Sequence, residues 1–263
     1  MGTGSYSPGT RDTAPVTCHT PQDAPPRPGC GFTSRADGRR GRLVAGAARR
    51  WIMPQARTDR PGAEEWVPAD ADVDALASAV HDCRGCELWQ PATQAVFSSG
   101  PADAAVALVG EQPGDREDRE GEPFVGPAGR VLAEALHAAH LDPDQVYLTN
   151  AVKHFRFTER GKRRLHRTPD VAHVRACLPW LEAELAAVRP RVVVALGATA
   201  ARAVLGRAVR IGTERGQVLE GEAYDVVVTT HPSALLRLRE RADRAEQLEA
   251  LAADLRTAAD AAR

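Results

Sequence analysis

The sequence predicts an α/β fold, a three-layer αβα sandwich around a central, mostly parallel four-stranded sheet. Three observations carry this. Four short apolar runs, residues 104–109 (Ala-Ala-Val-Ala-Leu-Val), 146–149, 191–196 (Arg-Val-Val-Val-Ala-Leu) and 225–230 (Asp-Val-Val-Val-Thr-Thr), read as buried strands. Helical patterns separate them, and strands alternating with helices build parallel sheets covered on both faces. Three of the runs end in polar or glycine signals, at Gly110–Gly114, Asn150 and His231. In such sheets ligands bind beyond the carboxyl ends of the strands, so these signals share one rim.

Taken in order, residues 73–82 form a short helix that stops at Cys83-Arg84-Gly85-Cys86, and residues 128–140 form a second helix. Residues 170–188 make a long helix, with Thr168 as N-cap, Pro169 at its first position and Pro190 just past its end. Gly197 leads from the third strand into a helix over 198–205, and a C-terminal helix covers 239–259. Residues 1–62 are rich in Gly, Pro, Thr and Arg without apolar periodicity, and are expected to be a disordered tail. Cys18 and Cys30 lie in that tail, and Met53 is an alternative start. One globular domain over 66–259 remains.

Composition excludes several classes. No apolar run is long enough to span a bilayer, and the opening residues lack the apolar stretch of a secretory signal. Five cysteines in 263 residues do not make a disulfide scaffold, so a cytoplasmic location and a metal or cluster role for Cys83-x-x-Cys86 are expected. A net charge of −1 argues against a general DNA coat. The charge is uneven, however: residues 1–60 hold ten Arg and four Asp. Within the acidic remainder, Lys153, Arg156, Arg160, Lys162, Arg163, Arg164 and Arg167 stand against Glu159 alone. That patch is either a solvated loop or a phosphate contact.

The candidate site residues each admit two readings. Phe124 is a stacking platform or an ordinary core aromatic, and Asn150 is a donor–acceptor pair for a base edge or a turn residue. His166 ends the basic loop, as a nucleophile or a phosphate contact. His231 sits at a strand end where it can donate to a leaving group, with backbone N–H groups around Gln112–Gly114 beside it. Glu111 and Asp115 hold a water, balance a cation or are solvated carboxylates. Leu235 or Leu236 is a wedge into DNA or a helix-start core residue, and Arg237 is a phosphate or groove contact.

Together, Cys83-x-x-Cys86, Gly110-Glu111-Gln112-Pro113-Gly114-Asp115, Pro123-Phe124-Val125-Gly126, Thr149-Asn150-Ala151-Val152-Lys153 and His231-Pro232-Ser233 resemble the iron–sulfur (family 4) uracil-DNA glycosylases over residues 66–257. Gln112, where Ala is usual, and the extra segment Lys162-Arg163-Arg164-Leu165-His166 resemble the UdgX branch, whose loop normally reads Lys-Arg-Arg-Ile-His. The resemblance implies a monomeric DNA N-glycosylase acting on uracil-containing DNA. Gly110, Gly114, Phe124 and Asn150 then bind the base, and Glu111, Gln112, Asp115 and His231 serve the chemistry. His166 captures the sugar covalently, while Lys162, Arg163, Arg164, Leu235 and Arg237 hold DNA. A [4Fe–4S] cluster is then held by Cys83, Cys86, Cys177 and His154, the last standing where family members carry a cysteine. Zinc with three Cys and one His is permitted by the same ligand types.

Overall fold

The computed structural model describes residues 60–263. The tail's Cys18 and Cys30 and the alternative start at Met53 lie outside the described residues. The chain runs α1 (Val73–Ala79), β1 (Val106–Gly110), α2 (Asp115–Glu120), α3 (Pro127–Ala138), β2 (Val146–Asn150), β3 (Phe157–Arg160), β4 (Arg163–His166) and α4 (Val171–Val188). It continues through β5 (Val192–Leu196), α5 (Ala198–Leu205), α6 (Ile211–Glu214), β6 (Val218–Leu219), β7 (Asp225–Thr229) and α7 (Arg241–Ala261). Among the described residues no helix is long and apolar enough to cross a membrane.

The sheet order is β2-β1-β5-β7-β6, parallel except for β6. The expected four strands are all present. The fifth, β6, is a two-residue antiparallel edge strand, too short to show a period of two in the sequence. The residues of β1, β2, β5 and β7 are almost all buried on both sides, as the continuous apolar runs require. Ala107, Val109, Val193 and Ala195 face α1, α4 and α5, packing with Leu76, Trp180 and Leu181. Val106, Leu108, Val192 and Val194 face α3 and α7, packing with Leu132, Leu136, Leu251 and Leu255. Helices on both faces therefore follow from the alternation of side chains along each strand.

One local expectation is corrected. The N-cap of α4 is Asp170, not Thr168: its carboxylate accepts the N–H groups of Ala172 and His173, and His173 Nδ1 accepts the Asp170 N–H. Residues 60–62, expected in the tail, make contacts with the domain. Arg60 donates to Glu87 and Asp170, and the Gly62 N–H reaches the Gly85 carbonyl at 3.1 Å. Residues 60–62 thus brace the Cys83–Cys86 turn.

The site lies where strand order reverses. β1 passes to β2 on one side, and the chain returns to place β5 on the other. The crevice at that switch point opens past Gly110, between Asn150 and Gly197.

Candidate active site

A cleft of about 540 Å³ opens at the carboxyl rim and is lined by Glu117, Phe124, Asn150, His166, His231 and Arg237, among others. A second cavity of about 550 Å³ lies at the opposite end of the sheet, and none of the expected site residues lines it.

Gly110 sets the floor. A Cβ there would lie 2.4 Å from Asn150 Oδ1 and 2.8 Å from Phe124 Cζ, so only glycine lets the carboxamide and the ring close over the strand end. Asn150 is buried, paired with Gly110 at the end of the β1–β2 ladder. Phe124 adopts φ 58°, a backbone conformation that a bulky residue keeps only when its surroundings enforce it. Two contacts do so. The Gly126 N–H donates to buried Glu117 at 3.0 Å, and Gly129 leaves room for the Phe124 carbonyl against α3.

The two histidines differ in role. His231 Nδ1 accepts the Ser233 N–H at 3.2 Å and lies 2.9 Å from the Ser233 hydroxyl. That leaves Nε2 to carry the proton. Burial, then the fields of His166 and Arg237, push its pKa down to about 4, so the ring is neutral. His166 Nε2 lies 3.5 Å from Glu111 Oε1, and the Thr199 hydroxyl donates to Glu111 Oε2 at 2.6 Å. Burial lowers the pKa of His166, and the Glu111 carboxylate opposes this only in part.

The basic segment is not a loop. β3 and β4 form an antiparallel hairpin, with Phe157 opposite His166 and Glu159 opposite Arg164. Arg164 and His166 share one face, while Arg163 and Leu165 share the other. Arg164, expected as a DNA contact, is held by carboxylates of the protein itself. Its guanidinium is bound to Asp115 and to fully buried Asp118, and lies 5.0 Å from the Phe157 ring centroid. Asp115, expected to serve the chemistry, lines the cleft, and its carboxylate accepts from Arg164 and Arg119. Gln112, expected to serve the chemistry, lines the cleft. Its Nε2 donates to the carbonyls of Arg156 and Arg167, and its Oε1 accepts the Arg156 N–H, which ties off the hairpin's root. Lys153 leaves the basic patch, being fully buried. Lys162 and Arg163 remain exposed.

After β7, residues 232–237 form a 3₁₀ turn. Leu235, expected among the DNA contacts, is 1% exposed and packs inward. Its neighbour Leu236 is 44% exposed and lines the cleft beside Arg237.

On the other side of Asn150, Cys83, Cys86 and Cys177 are buried and unpaired as thiols. Cys177 accepts the Lys153 N–H at 3.3 Å, and Cys83 accepts Trp180 Nε1–H at 3.2 Å. Burial pushes Cys177 up to about 12, and the neighbouring Cys86 and Cys83 thiols add to this. His154 is buried, and that burial, with the charge of Arg84, lowers its pKa to about 4. Neutral imidazole and N–H donors aimed at sulfur are the chemistry a metal or cluster ligand set needs. Among the described residues no three His, Cys, Asp or Glu side chains converge closely enough for a single metal ion.

Sequence reasoning missed three site residues: Glu117, Thr199 and Ser233. Glu117 is hidden in a run of charge. Thr199 and Ser233 each sit two residues past a rim residue, Gly197 and His231, and that position is the signal that points to them.

Fold and site define an α/β protein with a cleft at its switch point that gathers an asparagine, an aromatic ring and two histidines. A family model described as the uracil DNA glycosylase superfamily matches residues 97–256. The chain is 34% identical over 174 residues to a type-4 uracil-DNA glycosylase of Pyrobaculum aerophilum, covering 63% of this chain and 85% of that protein. It is 36% identical over 169 residues to the type-4 uracil-DNA glycosylase of Thermotoga maritima, covering 64% and 84%. That of Archaeoglobus fulgidus is 34% identical over 172 residues, covering 62% and 83%. The chain belongs to the uracil DNA glycosylase superfamily.

Proposed function

We propose that this DNA N-glycosylase excises uracil from DNA and is then captured covalently on the abasic sugar through His166. The single observation that carries the second half is the contact of His166 with Glu111 at the mouth of the cleft that also holds Asn150, Phe124 and His231. Excision itself is supported by membership of the family and by likeness to enzymes named as uracil-DNA glycosylases.

A base acted on in DNA must leave the stack. Leu236 then fills the gap while Arg237, Lys162 and Arg163 meet phosphates. Phe124 stacks on the extruded ring. The Asn150 carboxamide pairs with N3–H and O4 of uracil, whereas cytosine presents the reverse pattern and is refused. The C1′–N1 bond breaks with its electron pair leaving on uracil, and His231 Nε2–H donates to the departing O2. The sugar becomes an oxocarbenium ion. The lone pair of neutral His166 then forms the N–C1′ bond, and the resulting imidazolium faces the Glu111 carboxylate. With no leaving group better than the imidazole, the reaction stops after one event.

A [4Fe–4S] cluster held by Cys83, Cys86, Cys177 and His154 completes the reading. It supplies a rigid clamp joining the Cys83–Cys86 turn, the segment after β2 and α4.

The test is a denaturing gel of the protein mixed with a uracil-containing oligonucleotide, with a thymine control. A heat-stable shifted band with uracil alone is expected. Free DNA with alkali-labile sites would mean a turnover glycosylase, and intact unshifted DNA would remove both halves of the reading.

A further inference from the structure

The excision chemistry leaves one buried charged pair unused. Lys153 and Glu184 have fully buried side chains, with Nζ 2.6 Å from Glu184 Oε1. The same ammonium donates to Thr149 Oγ1 at 2.7 Å and to the Asn150 carbonyl at 2.9 Å. The ammonium thus joins the Glu184 carboxylate, at ion-pair distance, to hydrogen-bond acceptors on the last two residues of β2. The Lys153 backbone N–H meanwhile donates to Cys177 Sγ at 3.3 Å. Cys177 and Glu184 lie seven residues apart on α4, which puts them on one face two turns apart. Helix α4 thus holds Lys153 by its main chain at one point and by its side chain at the other.

Burying two charges is expensive, and an apolar pair of the same volume is often at least as stable. Stability alone gives no reason for this pair. Geometry does. The Asn150 side chain lies against Gly110, where a Cβ would come within 2.4 Å of its Oδ1, so a small rotation of the Asn150 peptide would drive it into the strand or out of the cleft. The Asn150 carbonyl accepts from Lys153 Nζ, which fixes that peptide plane.

We propose that Lys153, anchored by Glu184 of α4, is a positioning residue for Asn150 that aims its carboxamide at the uracil edge. The proposal rests on Asn150 reading the base. It makes the selectivity of the pocket a property of α4, an element that never touches the substrate.

The test compares the full-length double variant Lys153→Met/Glu184→Leu with Asn150→Ala and the parent. Three quantities are read: thermal unfolding, affinity for uracil-free DNA, and inhibition by free uracil of the single-turnover reaction on a uracil oligonucleotide. The double variant is expected to unfold near the parent temperature and to bind uracil-free DNA equally well. Its inhibition by free uracil should weaken about tenfold, the loss of roughly one well-made polar contact. Unchanged uracil inhibition in a folded double variant overturns the proposal and leaves the Asn150 reading intact. Unchanged inhibition in Asn150→Ala overturns both. If the double variant does not fold, Glu184→Gln carries the test, because it keeps shape and removes only the anchoring charge. Weakened uracil inhibition with unchanged DNA affinity supports the proposal, and parent-like inhibition overturns it.

Discussion

His166 Nε2 lies 3.5 Å from Glu111 Oε1, so the hairpin strand β4 meets the end of β1 through a base and a carboxylate. Thr199 holds the other carboxylate oxygen and keeps Glu111 from swinging away. The pair gives the first prediction. His166→Ala should abolish the heat-stable DNA adduct while leaving slower uracil release by water. Glu111→Gln keeps the shape and removes the charge facing the imidazolium, so adduct formation should slow by about 100-fold, the scale of one preorganised electrostatic contact. An adduct of undiminished yield from His166→Ala would remove it as the nucleophile.

Arg164 should matter to His166 without touching DNA. Its guanidinium joins the hairpin to α2 through Asp115 and Asp118, and Asp118 has no exposure to share its charge with water. Arg164→Gln leaves that carboxylate buried and unpaired, a loss of about 3–5 kcal/mol. Denaturant unfolding checks the stability. The adduct rate should fall with it, while the affinity for uracil-free DNA stays near the parent value. A large loss of DNA affinity at unchanged stability would restore Arg164 as a phosphate contact.

These residues show where reading the sequence succeeds. The four long strands were legible because a strand buried on both faces is apolar at every position, as in Val192–Leu196. The rim positions followed, because parallel sheets place their ligands at strand ends. β6 was illegible because two residues carry no pattern. The hairpin was illegible for a different reason: Phe157–His166 carries charge on both faces, and pairing rather than burial makes it a strand. Arg164 and Lys162 look alike in sequence. Only the fold puts Asp115 and Asp118 beneath one and solvent around the other. Leu235 and Leu236 are equally alike, and the 3₁₀ turn decides which is buried.

Gly110→Ala tests the pocket floor. The added methyl would meet Asn150 Oδ1 and Phe124 Cζ inside contact distance, and neither is free to yield. Asn150 is buried and Phe124 is locked in a left-handed backbone conformation. The change lies at a strand end, so unfolding should shift by no more than about 1–3 kcal/mol, the usual cost of overpacking. Uracil release and free-uracil inhibition should both fall at least tenfold. Retention of both would show that the base does not lie over Gly110.

Cys86→Ala tests the ligand set. Burial holds the Cys86 thiol near a pKa of about 11, so an isolated thiol there stays protonated and a metal is what would draw the proton off. The variant should lose its brown absorbance and its iron, and it should unfold at lower denaturant because the turn braced by Arg60 loses its second anchor. Unchanged iron content would take Cys86 out of the set.

The pH profile of adduct formation reports on His166. A histidine whose pKa is lowered in the folded protein is neutral above the ordinary imidazole value near 6.5, and it gains its proton only as pH falls through the lower, folded value. The nucleophile must be neutral, so the adduct rate should stay flat through pH 6.5 and fall only at more acid pH, as His166 gains its proton. His231, pushed down to about 4 by burial, is likewise neutral across that plateau. Glu111 favours the protonated form of His166, and its replacement by Gln removes that support. The acid limb of Glu111→Gln should therefore move to lower pH, even as the plateau drops. A limb that stayed in place would assign the titration to some other group, and a limb that moved to higher pH would show that the carboxylate does not face the imidazole.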